Sequence, residues 1–110
     1  MTFETYTNLL VKRLEHLGYI SRKNEKTVSF YLPNYTNVGG SSDLFSIYYE
    51  ANSVRFIEDF DDMFWSLVDY YDYESLKHLY IISKDFVIKA KKIQMKNKLK
   101  ELEKDFENEN

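Results

Sequence analysis

The carboxylates between Glu58 and Glu74 are the residues whose type and spacing are most suggestive of chemistry. They lie in the run EDFDDMFWSLVDYYDYES, residues 58–75, which holds seven acids and no base, with Phe, Trp and Tyr set between the charges. The chemistry this suits is recognition. A row of carboxylates can imitate a phosphate backbone and occupy a nucleic-acid groove on a partner. Trp and Tyr anchor interfaces because they bury area at little rotamer cost. The candidate partner-binding set is therefore Glu58, Asp59, Asp62, Trp65, Asp69, Tyr70, Asp72 and Tyr73. The competing structural reading is a solvated helix face whose Trp65 tucks under the C-terminal helix, with that helix's lysines laid against the acids.

Charge is distributed in blocks. Residues 50–74 carry eight acids against Arg55, a net of −7, and residues 84–100 carry seven lysines against Asp85, a net of +6. The last ten residues return to −4, and the whole chain is −3. Blocks of this kind decide partner choice more than the total does. Lys89, Lys91, Lys92, Lys96 and Lys98 form the alternative candidate site, a set of phosphate contacts for nucleic acid. The same segment carries a weak heptad. Ile81, Ile88, Met95 and Leu102 fill one position; Asp85, Lys92, Leu99 and Phe106 fill the other. It offers a self-associating structural role through the last helix, interrupted by two charged residues in the second set.

Catalytic and metal motifs are absent. Neither His16 nor His78 has a helical partner at ligand spacing. Gly39-Gly40 lacks the Lys-Ser/Thr that a phosphate-binding loop requires, and no serine-nucleophile motif occurs. With no cysteine, disulfides, thiolate metal sites and cysteine nucleophiles are excluded. No cofactor and no enzymatic activity are expected.

The elements that must position these residues are read from periodicity. Residues 2–17 form a helix with Phe3, Tyr6, Leu10, Leu14 and Leu17 as its apolar stripe, Thr2 as its cap and Gly18 as its stop. Residues 21–26 read as a polar loop. Residues 27–32 alternate as a half-buried strand, ended by Pro33, and residues 34–42 form a glycine-containing loop. A hairpin follows, with Asn52-Ser53 as a two-residue turn, placing Tyr49 opposite Phe56, Ile47 opposite Glu58 and Phe45 opposite Phe60. One face then collects Phe45, Ile47, Tyr49, Ala51, Val54, Phe56 and Phe60, and Glu50 faces Arg55 across the pair. Asp61 or Asp62 caps a second helix running to about Tyr71. Its inner stripe is Phe64, Leu67, Val68 and Tyr71; its outer face carries Asp62, Trp65, Asp69 and Asp72. Residues 78–82, HLYII, read as a fourth strand, with continued helix as the rival reading. Ser83 then caps a long final helix, and about 100–110 is an acidic tail prone to fray.

The expected fold is a single α+β domain over residues 1–110. Its order is α-β-β-β-α-β-α, with a small, mainly antiparallel sheet, helices packed on it and a long C-terminal helix. The order α-β-β-β-α-β is also that of the restriction-type nuclease core, which holds a divalent metal with an acid on one strand and Glu-x-Lys on the next. Asp43 could supply the first acid, but Glu50-Ala51-Asn52 lacks the lysine, so the order carries no activity with it.

The composition, 44% apolar and 17% aromatic, is enough for a genuine core in 110 residues. No apolar run is long enough to span a membrane, and the start, Met1-Thr2-Phe3-Glu4, shows no signal-peptide pattern. A cytoplasmic protein is expected, monomeric or homodimeric. In profile the chain is similar to the small inhibitors and regulators carried by phages and mobile elements, anti-CRISPR proteins among them, which often present acids to a DNA-binding groove. That resemblance implies a host protein as partner, with a nucleic-acid-binding one such as a CRISPR effector as the example; direct nucleic-acid binding through residues 84–100 is the alternative.

Overall fold

Helix α1, Phe3–His16, begins where the Thr2 hydroxyl accepts a hydrogen bond from the Thr5 amide at 3.1 Å, and buries Tyr6, Leu10 and Leu14. It ends in a Schellman arrangement. The Gly18 amide donates to the Glu15 carbonyl at 3.1 Å and the Tyr19 amide to the Leu14 carbonyl at 2.9 Å. Gly18 takes φ +94°, the conformation that a side chain would oppose. The computed structural model describes residues 1–33, 43–59 and 64–108, with side chains as far as residue 104. The loop expected at 34–42, Phe60, Asp62 and the side chain of Phe106 lie outside the described residues.

Five strands follow: β1 Ile20–Lys23, β2 Thr27–Tyr31, β3 Asp43–Tyr48, β4 Ser53–Ile57 and β5 Trp65–Leu67. They pair in chain order as one antiparallel sheet. The chain closes with helix α2, Tyr73–Asn108. The α+β class, the antiparallel sheet and the long C-terminal helix are as expected, but the order is α-β-β-β-β-β-α. Three segments differ from expectation.

First, residues 20–23 form a strand where a polar loop was expected. β1 is exposed at every position and carries Arg22 and Lys23, the signature of a charged edge strand rather than of a half-buried one. Asn24 turns the chain into β2, its side-chain oxygen accepting from the amides of Lys26 and Thr27 at 3.1 and 2.9 Å.

Second, among residues 64–72 the expected helix is absent. Residues 65–67 pair with β4, and the Val68 amide continues the ladder to the Val54 carbonyl at 2.9 Å. Phe64 and Leu67, expected inside, are 78% and 54% exposed, whereas Val68 and Tyr71 do pack on the core. Third, residues 78–82 lie inside α2. Ser83, expected as a cap, is buried in mid-helix with its hydroxyl bonded to the Tyr80 carbonyl at 2.9 Å.

The β3–β4 hairpin keeps Phe45, Ile47, Val54 and Phe56 on one face but not the expected register, and Tyr49 and Ala51, expected on that face, lie exposed in the turn. Phe45 lies opposite Phe56 and Ile47 opposite Val54, joined by the four-residue turn 49–52 rather than a two-residue one. Asn52 takes φ +46°, which asparagine tolerates better than most residues. The shift is an even number of positions, so Phe45, Ile47, Val54 and Phe56 still share the buried face. The Glu50–Arg55 pair is not formed. Glu50 meets Lys26 at 3.5 Å, and the Arg55 guanidinium lies 4.8 Å from the Tyr48 ring centre.

Both helices cover that face. Phe86 of α2 and Tyr19 approach Phe45 at ring separations of 6.1 and 5.6 Å. The Tyr19 hydroxyl donates to the Ser83 carbonyl at 2.8 Å, and the Tyr80 hydroxyl to the Leu9 carbonyl at 3.2 Å, tying α2 to the rest of the core. α2 has 36 residues, about 54 Å at 1.5 Å per residue. The molecule measures 62 × 28 × 23 Å, so the helix sets its length and runs well beyond the sheet.

Candidate functional site: an acidic cleft at the start of α2

The segment 68–72 leaves the sheet edge and feeds directly into α2. Tyr71 pins it. Its ring sits 5.2 Å from Phe3 and 5.1 Å from Tyr6, and its hydroxyl donates to the Asn52 carbonyl. Asp72 then caps α2, accepting from the Ser75 amide at 2.9 Å, while Ser75 shares a 2.7 Å hydroxyl–hydroxyl bond with Tyr6. Burial pushes the Tyr6 phenol up to about 12.

Between this segment, the end of β4 and the first turns of α2 lies a cavity of about 300 Å³. Its rim carries Glu58, Asp69, Asp72 and Glu74; its wall is Phe56, Leu67, Val68 and Leu79, with Tyr70 and His78 at the mouth. The His78 ring stands edge-on to Phe56 at 6.1 Å. No lysine or arginine lines it, because Arg55, the one base of residues 50–74, points to the opposite face of the sheet over Tyr48. Among the described residues no three His, Asp or Glu side chains converge to hold a metal ion. The arrangement can accept a positively charged or hydrogen-bond-donating group from outside, against an apolar floor.

The expected site residues divide. Glu58, Asp69, Tyr70 and Asp72 are brought together at the cleft. Tyr73 is exposed on the first turn of α2 beside it. Asp59 is exposed next to Glu58. Trp65 is separated from them. It lies opposite Ile57 in the β4–β5 ladder, on the sheet face that also carries Arg55, and is 41% exposed, not tucked beneath α2. Asp72 has a structural duty as the cap. Phe56, Leu67 and His78 belong to the cleft and were missed. The signal for His78 was its place four residues after Glu74, which puts both on one face once residues 73–78 are read as helix.

Among the described residues the lysines of the basic block do not line the cleft. Lys91, Lys92, Lys96, Lys98 and Lys100 are exposed along the outer half of α2, and Lys89 pairs with Asp85 at 3.1 Å. None of the ion pairs Arg22–Asp43, Lys26–Glu50 and Lys89–Asp85 joins the acidic block to the basic one. A smaller cavity of about 170 Å³, mostly apolar, lies between the end of α1, Leu32-Pro33 and α2. Among the described residues no helix is long and apolar enough to cross a membrane. Comparison with protein-family models, with curated proteins and with solved structures gives no match.

Proposed function

We propose that the protein is a small non-enzymatic binding module that acts as an inhibitor or regulator of another protein, docking the acidic cleft on a basic, nucleic-acid-binding surface of that partner. The observation that carries this reading is the cleft itself: carboxylates of Glu58, Asp69 and Glu74 on one rim, with exposed Tyr70 and Tyr73 beside them and no lysine or arginine among the lining residues. Carboxylates on a rim stand in for phosphates, and the tyrosines supply anchoring area. The phage-inhibitor profile, with a nuclease such as a CRISPR effector as target, remains the most economical setting for such a surface.

The test is capture of partners from a host-type lysate by the wild type and by a Glu58→Lys, Asp69→Lys, Tyr70→Ala variant, with identification by mass spectrometry and added duplex DNA as competitor. These three side chains are exposed and cap nothing, so the variant is expected to fold. The reading expects a nucleic-acid-binding protein that is held by the wild type, lost by the variant and displaced by DNA. A partner retained by the variant removes the cleft from the interaction.

A second reading rests on the exposed lysines of α2. Lys84, Lys91 and Lys98 step by seven along one line of the helix, as phosphate contacts could. It expects direct DNA binding by the chain alone, weakening steeply with salt.

A further inference from the structure

Beyond Gln94, the outer half of α2 meets no packing partner among the described residues. Among the described residues Ala90 is the last buried one of the helix, and Gln94, whose amide donates to the Pro33 carbonyl at 3.3 Å, is the last with a hydrogen bond to the body. Every described side chain from Met95 to Lys104 is exposed. A single helix of this length is marginal in water, because helices in proteins are held mainly by packing of an apolar stripe. This segment has such a stripe. Met95, Leu99 and Leu102 are 64%, 59% and 54% exposed and recur at steps of four and three. Ile81 and Ile88 extend the line back over the body, also exposed, on the side of α2 away from the sheet. From Ile81 to Leu102 the stripe covers three heptad steps.

The charges beside the stripe select its occupant. The positions flanking the seam are Lys84, Lys91 and Lys98 on one side and Lys89, Lys96 and Glu103 on the other. In a parallel pair the flanking contacts run from one residue to the residue five further on in the other helix. That sets Lys84 against Lys89 and Lys91 against Lys96, like against like, and only Lys98 against Glu103. An antiparallel pair reverses the balance. With Leu99 of one copy layered on Leu102 of the other, Lys96 falls beside Glu103, and residues 91–100 of each helix, net +5, overlie the net −4 residues 101–110 of the other.

We infer that the outer half of α2 is a self-association surface on which a second copy of this chain packs antiparallel through Met95, Leu99 and Leu102. The cleft at the start of α2 lies at the far end of each helix and stays open in such a dimer, so this inference is independent of what the cleft binds.

The experiment is sedimentation equilibrium of the full chain and of a Met95→Glu, Leu99→Glu variant, from micromolar to millimolar concentration, at low and at high salt. Both substitutions lie beyond the last packed residue, and circular dichroism checks that the body is folded. The wild type is expected to move from 13.3 kDa toward twice that mass, the variant to associate at least about tenfold more weakly, and the wild-type dimer to weaken as salt screens the unlike charges. A mass of 13.3 kDa throughout, or a dimer that survives in the variant, overturns the surface. A dimer that strengthens with salt overturns the antiparallel arrangement, since salt relieves the like-charge contacts of the parallel one.

Discussion

At the residue scale, the acids of the cleft are not equivalent. Asp72 satisfies an otherwise orphaned amide at the start of α2, and its charge faces the positive end of the helix dipole. Asp69 and Glu58 are exposed, with no cap to make. Asp72→Ala is therefore expected to lower stability by about 1 kcal/mol, while Glu58→Ala and Asp69→Ala stay within about 0.5 kcal/mol of wild type. Urea denaturation of the three variants separates the structural acid from those free to bind. A second expectation concerns Tyr6. Its phenol is held neutral by burial, raised from 10.0 to about 12, and Tyr19 is raised in the same direction by the same cause. The folded state therefore keeps protons that the unfolded chain has released. The resulting stability is fully present below pH 10.0 and is lost as pH rises through about 12. Thermal midpoints should fall over that window, and Tyr6→Phe should make the fall shallower. A midpoint independent of pH there contradicts the burial of these hydroxyls.

At the scale of elements, the sequence was legible where one periodicity acted alone and misleading where two overlapped. The stripe of α1 and its Thr2 and Gly18 ends formed as read. The hairpin faces were legible because alternation survives any even shift, but the register was not, since the turn spans four residues with Asn52 in the left-handed region. HLYII is short, apolar and branched, which suits a strand as well as a buried helix turn. The spacing of Leu76, Leu79, Ser83, Phe86 and Ala90, at steps of three, four, three and four, continues through it, and all five are buried. The acidic run failed the other way. Asp62, Trp65, Asp69 and Asp72 have helical spacing, yet residues 65–67 pair at period two with β4, and Asp72 caps α2 at the point where the expected helix was to end. The acidic surface itself was legible from composition. Its union with Phe56 and His78 was not, because it depends on β5 returning to the sheet edge.

At the scale of the whole molecule, the charge blocks and the fold divide the chain into two working regions along one helix. The first turns of α2 build the core and the cleft; its outer half carries lysines, an apolar stripe and an acidic end. Among the described residues the core members of α2, Leu76, Leu79, Ile82, Phe86 and Ala90, all precede that outer half. A chain ending at Lys96 keeps these residues and the Gln94 contact with Pro33. It is expected to unfold within about 0.5 kcal/mol of the full chain, as removal of exposed side chains far from the core allows. Its helix signal in circular dichroism should drop by roughly the share of α2 that was removed. The truncated chain should be monomeric at all concentrations and should still capture whatever the cleft captures. Loss of partner capture with the fold intact would move the binding surface from the cleft to the lysine-bearing half of α2. Loss of the fold itself would show that the outer helix, paired with a second copy, supplies stability that the body alone lacks.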